Sequence, residues 1–342
     1  MKRVLLRVVL PWLITCVALY LAFRGVQWGL LWSHVKSAHL GYILLAVILT
    51  AFSYVLRSAR WPLLFPSTSL PFWSSYRVLV LGFFMNNILP ARAGELVRAH
   101  LGGKVTGEPR TLVLATVASE RLADGLTISL MFASIIMFLG RGHLDAEYAQ
   151  NLMYVAYLFV FAALGVISVL LVRGKIFSLV DHLASKLNHK ASTYTLSRVQ
   201  IFINGLSPLC SPGRALIIAC WSALIWGVEL GVFAAVGAAF NDAPLPLSSV
   251  VLFLVAVNFS SLVPAAPGGF GVIELFAKKI LLSVGVASDE LALSMVLVQH
   301  VIQYAVIGVP GAFLLATLRT QLQDMQSNSG EIETIKSAPA PG

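Results

Sequence analysis

Charge is what this sequence has least of. Only 11% of its 342 residues are Asp, Glu, Lys or Arg, against 58% hydrophobic, and the mean hydropathy is +0.84. A soluble globular domain carries about 25% charged residues, because its surface must be hydrated. A chain this poor in charge cannot clothe a water-facing surface of its size, so lipid is the solvent for most of it. Cysteine is scarce too. Cys16, Cys210 and Cys220 form no CxxC pair, and their odd number argues against a disulfide framework or a zinc knuckle. They read as small apolar fillers. The histidines lack metal-ligand spacing, and no GxSxG, P-loop, HExxH or dinucleotide fingerprint occurs. The sequence therefore predicts no metal, no cofactor and no soluble catalytic domain.

What the sequence has instead is a series of apolar runs. A spanning helix needs about 20 mostly apolar residues. Such runs lie at 4–23, 40–56, 72–89, 111–139, 152–172, 215–240, 245–263, 270–284 and 291–318. Two are irregular. The run 72–89 ends on Pro90 and a charged cluster, and 270–284 is short, contains Glu274, Lys278 and Lys279, and follows a Gly/Pro-rich break. The first run imitates a signal peptide, but it is long for one and no small-x-small cleavage site precedes Arg24. It reads as an uncleaved first span. The expected fold is an all-α, polytopic transmembrane helix bundle, with about seven full spans plus re-entrant or broken helices.

The formal net charge of +9 follows from basic residues at membrane boundaries and needs no nucleic acid to explain it. Lys2, Arg3 and Arg7 place the N-terminus in the cytoplasm, as does Arg319 the C-terminus. The stretch 173–214 carries Arg173, Lys175, Lys186, Lys190, Arg198 and Arg214 against Asp181, so it too reads as cytoplasmic. Residues 241–246 hold no base, and Asp145 and Glu147 offset Arg141, which places both loops outside. The expected organisation is a membrane domain over 1–319, with a cytoplasmic interfacial segment at 174–213. A polar, disordered cytoplasmic tail follows over 320–342.

Three segments concentrate polar chemistry. In the first, Asn86-Asn87-Ile88-Leu89-Pro90-Ala91-Arg92-Ala93-Gly94-Glu95-Leu96-Val97-Arg98, two amides and a helix breaker precede Arg92, Glu95 and Arg98 at successive i,i+3 steps. Glu95 is expected to pair with either arginine, leaving a guanidinium suited to phosphate. The second, Ser119-Glu120-Arg121-Leu122-Ala123-Asp124, lies inside the run 111–139. Glu120 and Asp124 share a helix face, and Arg121 is spaced to pair with Asp124. A charge at membrane depth costs about 3 kcal/mol or more, so each should face a partner or a watery cavity. The alternative is a shorter span, 125–139, with these charges at its edge. The third, Pro264-Ala265-Ala266-Pro267-Gly268-Gly269-Phe270-Gly271-Val272-Ile273-Glu274, cannot continue a regular helix. Non-helical backbone at membrane depth must be buried in protein or line a cavity.

The first and third segments share an order: Leu89-Pro90-Ala91 before Gly94-Glu95, and Val263-Pro264-Ala265 before Gly268 and Glu274. Paired interruptions, one in each half, suggest an inverted repeat around a transport site. Fainter signals are Glu229 within Gly227-x-x-x-Gly231, read as helix packing with an acid beside it, and Gln299, His300 and Gln303, read as helix stitching.

Together, Asn-Asn-Ile-Leu-Pro-Ala-Arg-Ala-Gly-Glu-Leu-Val-Arg at 86–98, Ser-Glu-Arg-Leu-Ala-Asp at 119–124 and Val-Pro-Ala-Ala-Pro-Gly-Gly-Phe-Gly-Val-Ile-Glu at 263–274 resemble the lysylphosphatidylglycerol synthase transmembrane-region family. That flippase-like family includes the membrane half of the bacterial multiple peptide resistance factor, and the resemblance runs from the first span to Arg319. It implies a polytopic bundle that moves a lipid between leaflets, with other relatives linked to hopanoid or polyprenyl-linked pathways. In the resistance factors a soluble aminoacyl-transferase domain makes the lipid. Here a short polar tail follows the last span, so lipid aminoacylation by this chain alone is not expected.

The expected activity is that of an inner-membrane lipid translocase and not an enzyme. The cargo would be a polar or anionic lipid: a modified phospholipid, a hopanoid or a polyprenyl-linked lipid. The expected headgroup site comprises Asn87, Arg92, Glu95, Arg98, Glu120, Arg121, Asp124, Gly268, Gly269, Gly271 and Glu274. The arginines would hold the headgroup and the carboxylates would orient them. Membrane lipids are the expected partners, with a separate lipid-synthesis enzyme and homo-oligomer formation left open. The competing classes are a membrane-embedded transferase, for which no donor-binding motif is found, and a scaffold of a lipid-synthesis complex.

Overall fold

A computed structural model describes residues 2–67, 69–89, 93–139, 189–240, 245–263 and 266–336, with scattered residues between 150 and 168. All regular structure among them is helical. Lipid offers backbone groups no hydrogen bonds, and a helix satisfies its own. The helices are α1 (Lys2–Phe23), α2 (Trp28–Ser37), α3 (Leu40–Arg60), α4 (Phe72–Ile88), α5 (Gly94–Thr106), α6 (Arg110–Leu139), α7 (His189–Gly205), α8 (Pro212–Phe240), α9 (Leu247–Ser260), α10 (Val272–Ser283) and α11 (Asp289–Lys336).

The expected all-helical bundle is the observed one. Among the described residues, three stretches are long and apolar enough to cross a bilayer: Leu40–Leu64, Pro212–Phe240 and Asp289–Thr317. The segments Leu10–Phe23 and Trp28–Ser37 would make a fourth, bent by 83° at a turn where Gly25 takes a φ of +80°. The runs at 72–89, 245–263 and 270–284 fold as helices of 17, 14 and 12 residues. At a rise of 1.5 Å per residue these reach about 25, 21 and 18 Å, short of the ~30 Å hydrocarbon core. Helix α6 is unbroken over 30 residues, with Glu120, Arg121 and Asp124 inside it. The run 152–172 falls largely outside the described residues.

The short helices pair into two hairpins. In the first, α4 and α5 lie so close that a Cβ on Gly82 would stand 2.9 Å from Arg98 Cβ, and one on Gly94 would strike the Gly82 carbonyl and Asn86. Gly82 thus meets Arg98 while Asn86 meets Gly94, so α5 runs antiparallel to α4. In the second, α9 packs against α10 across the break at 261–271. Helix α9 is apolar on all sides and buried, with Leu252, Phe253, Leu254 and Val255 almost wholly enclosed. The break is pinned to α1, where the Ala266 N–H donates to Thr15 Oγ1 (2.9 Å). A Cβ on Gly271 would come within 2.8 Å of the Thr15 carbonyl. The turn 267–269 packs against α4.

The outward faces carry the opposite signature: Ile48, Leu216 and Val309 stand exposed, as lipid-facing side chains do. The three cysteines are free and exposed. Within the expected interfacial segment, α7 lays Ile203 against Ala115 of α6. Where polarity alone predicts a disordered tail, α11 continues as helix to Lys336. Gln321, Leu322 and Gln323 are good helix formers.

Candidate functional site

The two hairpins, together with α3, α6, α8 and α11, enclose a cavity of about 590 Å³. Its wall is mixed, with apolar side chains such as Phe83, Ile128 and Ile273 among a concentration of charged and amide groups. Arg57 and Tyr54 come from α3, Asn86 and Asn87 from the end of α4, Glu95 from α5, and Arg121 and Asp124 from α6. Trp226 and Glu229 come from α8, Asn258 from α9, Gly268 and Gly269 from the break, and Gln299, His300, Gln303 and Tyr304 from α11.

Two ion-pair groups hold this wall. In the first, Asp124 accepts from Arg57 Nη1 (3.1 Å), Arg60 Nη1 (2.7 Å) and Trp226 Nε1 (3.1 Å). Arg57 also donates to Glu229 (3.3 Å), which accepts from Ser53 Oγ (2.6 Å) and Gln303 Nε2 (3.3 Å). All four charged side chains of this group are buried. In the second, Arg98 grips Glu120 through both terminal nitrogens, and Arg121 Nη2 donates to the same carboxylate (3.1 Å). Glu95 stands 3.5 Å from Arg121. The Arg98 guanidinium lies 4.2 Å over the Trp61 ring and Arg121 5.1 Å from Phe83. Removing one partner from such a buried pair costs about 3–5 kcal/mol, so these contacts position helices as well as charges.

Helical spacing misassigns these partners. Glu95 does not pair with Arg98, which turns from it to Glu120, and approaches Arg121 instead. Asp124 does not take Arg121, three residues before it but engaged by Glu120 and Glu95, and binds Arg57 and Arg60 of α3. Spacing along one helix sees only its own face, whereas partners on neighbouring helices win here.

Of the predicted site residues, Asn87, Glu95, Arg121, Asp124, Gly268 and Gly269 line the cavity. Arg98 and Glu120 stand behind the wall, buried, and brace Arg121. Gly271 and Glu274 shape the break: Glu274 Oε2 accepts from the Gly271 N–H (2.6 Å), and its Oε1 lies 2.6 Å from His300 Nδ1. His300 Nε2 lies 3.2 Å from the Gly268 carbonyl, tying the break to α11. Arg92 lies outside the described residues.

Sequence reasoning missed Arg57 and Arg60. They follow the apolar run 40–56 and look like boundary charges, but their i,i+3 spacing beyond Trp-free apolar sequence was the available signal. Gln299 and Gln303, read as stitching, divide: Gln303 bonds Glu229, while both amide atoms of Gln299 are buried without a protein partner. Among the described residues no cluster of His, Cys, Asp and Glu could hold a metal ion.

A bundle of apolar helices around a cavity lined in part by charges and amides, with two pairs of short helices in its wall, defines a polytopic membrane protein. The comparisons narrow this. The chain matches the lysylphosphatidylglycerol synthase TM region over residues 8–311 and belongs to that family. A UPF0104 membrane protein of Methanocaldococcus jannaschii is 30% identical over 132 residues, covering 37% of this chain and 38% of that protein. The glycosyltransferase AglD of Haloferax volcanii is 24% identical over 272 residues, covering 72% of this chain and 44% of that protein. The chain thus spans less than half the length of either of these curated relatives.

Proposed function

We propose that this protein moves a lipid with a polar headgroup between the leaflets of an inner membrane. Both termini would be cytoplasmic, and the chain would catalyse no chemistry of its own. The observation that carries this reading is the cavity of about 590 Å³, lined in part by charges and amides, with two pairs of short helices in its wall. Its size falls in the range of about 300–1,000 Å³ typical of ligand pockets. Charges and amides cost too much at membrane depth to serve as filler. Hairpins of short helices are elements that can open a site to either side without unfolding a full span. Arg57 and Arg121 are the cations at the cavity, and Arg98 supports Arg121 from behind.

The test is leaflet movement of fluorescent lipids in proteoliposomes. Arg121→Gln is expected to slow movement about tenfold or more while the protein melts close to wild type. Equal movement in the variant would remove Arg121 from the site.

A second reading is favoured by the name of the Haloferax relative. The same cavity would hold a lipid-linked substrate for a transferase, on another chain or in the rest of a longer protein. Labelled product formed by purified protein from an activated-sugar donor would favour it over translocation.

A further inference from the structure

We propose that the cavity selects an uncharged, hydroxyl-rich headgroup, such as a glycosyl or polyol group. The lipid's chain would lie in the apolar groove that opens from the cavity along α11. The inference deepens the translocase reading and rests on the same cavity.

The charges on the wall are already spent on one another. Arg57 faces Asp124 and Glu229, and Arg121 faces Glu120 and Glu95. With Arg60 and Arg98 behind them, four guanidiniums meet four carboxylates among the described residues. A phosphate would compete with these carboxylates: displacing Asp124, Glu229 or Glu120 would leave a buried charge unpaired, and at Arg121 it would crowd Glu95, 3.5 Å away.

Arg60 and Arg98 keep unbonded guanidinium nitrogens behind the wall, and on it Arg121 Nε has no hydrogen bond but faces Glu95 at 3.5 Å. The other unbonded groups on the wall are neutral. Gln299 is 1% exposed and lines the cavity with neither its amide nitrogen nor its oxygen bonded. The Tyr304 hydroxyl and Asn86 Oδ1 on the same wall also lack partners. An amide offers two donors and an acceptor with two lone pairs, and a phenol offers one of each. A hydroxyl both donates and accepts, so a cluster of hydroxyls satisfies this mixed set where a phosphate, which accepts only, does not.

The tail has its own place. His300 and Tyr304 belong both to the cavity and to an outward groove whose other walls are Phe270, Val301, Ala305, Gly308, Val309 and Ala312. From Val301 to Ala312 the groove runs about 16 Å along the helix, close to the ~15 Å of one leaflet's hydrocarbon. Polar cavity and apolar groove joined at two side chains match one amphiphile lying across them.

The experiment is lipid retention by the purified chain in detergent, read by native mass spectrometry. The probes are a monoglucosyl diacylglycerol, a phosphatidic acid with the same chains, and free glucose. The glucolipid is expected to bind about tenfold tighter than the phosphatidic acid. Gln299→Leu should abolish that preference. Gly308→Phe, which adds bulk where a Cβ meets nothing within 4 Å, should weaken both lipids equally and leave the preference intact. If Gln299→Leu does not accumulate, the near-isosteric Gln299→Glu takes its place, with the same loss expected. Phosphatidic acid held as tightly as the glucolipid, or a preference that survives both Gln299 variants, overturns the proposal. Free glucose held as tightly as the glucolipid overturns the lipid half of it. Binding contains no leaflet step. Headgroup preference without movement in proteoliposomes would therefore sink translocation alone, and movement without preference would sink only this inference.

Discussion

Arg98 and Glu120 meet through two parallel hydrogen bonds, Nη1 to Oε1 at 3.1 Å and Nη2 to Oε2 at 2.5 Å, with the guanidinium stacked over Trp61. The pair ties the first hairpin to α6. A lysine would keep the charge but neither the fork nor the flat stack. Arg98→Lys is therefore expected to lower the melting temperature in detergent, and Arg98→Ala to cost about 3–5 kcal/mol. Replacing both partners, as in Arg98→Met with Glu120→Leu, should recover much of the loss. An Arg98→Lys variant that melts like wild type would show that the two-pronged geometry contributes nothing.

Asp124 is the shared acceptor for Arg57 and Arg60, and Arg60 has Ser222 as its other partner. Glu229 shares Arg57 with Asp124, so its loss leaves that arginine still paired. Asp124→Asn is thus expected to destabilise more than Glu229→Gln, with melting in detergent as the measure. The reverse order would mean that Arg60 draws little from Asp124.

Gly268 has a φ of +77°, and an added Cβ there would overlap the Tyr304 hydroxyl. Gly268→Ala should destabilise through both strain and overlap. Adding Tyr304→Phe should restore only the part due to overlap, since the backbone strain remains. Full restoration in the double variant would assign no cost to the backbone.

The free thiols report orientation. Cys210 sits in the turn before α8, while Cys16 and Cys220 are on α1 and α8. A thiol reacts as thiolate and needs water to ionise. With a membrane-impermeant maleimide, Cys210 should label in inside-out vesicles and not in intact cells, whereas Cys16 and Cys220 should label only after denaturation. Labelling of Cys210 from outside would invert the topology.

The sequence made the helices legible where hydrophobic runs ended in prolines or glycines, which is why α4 and α10 could be picked out as broken segments before any geometry. It marked Glu120 and Asp124 as costly, since a charge inside an apolar run demands an explanation. It did not show who answers them. Their partners Arg98, Arg57 and Arg60 come from other helices, and only the packing of α3, α5 and α6 brings them within reach. Gln299 was illegible for the opposite reason: an amide in an apolar helix is usually bonded across it, and only the fold leaves this one unbonded.

The balance of charges around the cavity has an electrical consequence. A charge carried across the membrane field is worth about 2.3 kcal/mol per 100 mV. Among the described residues, the four guanidiniums at this site are matched by four carboxylates. Were the walls to shift together, the paired charges would move as dipoles and displace almost no net charge. If the chain moves lipid as proposed, membrane voltage is expected to have little leverage on that movement.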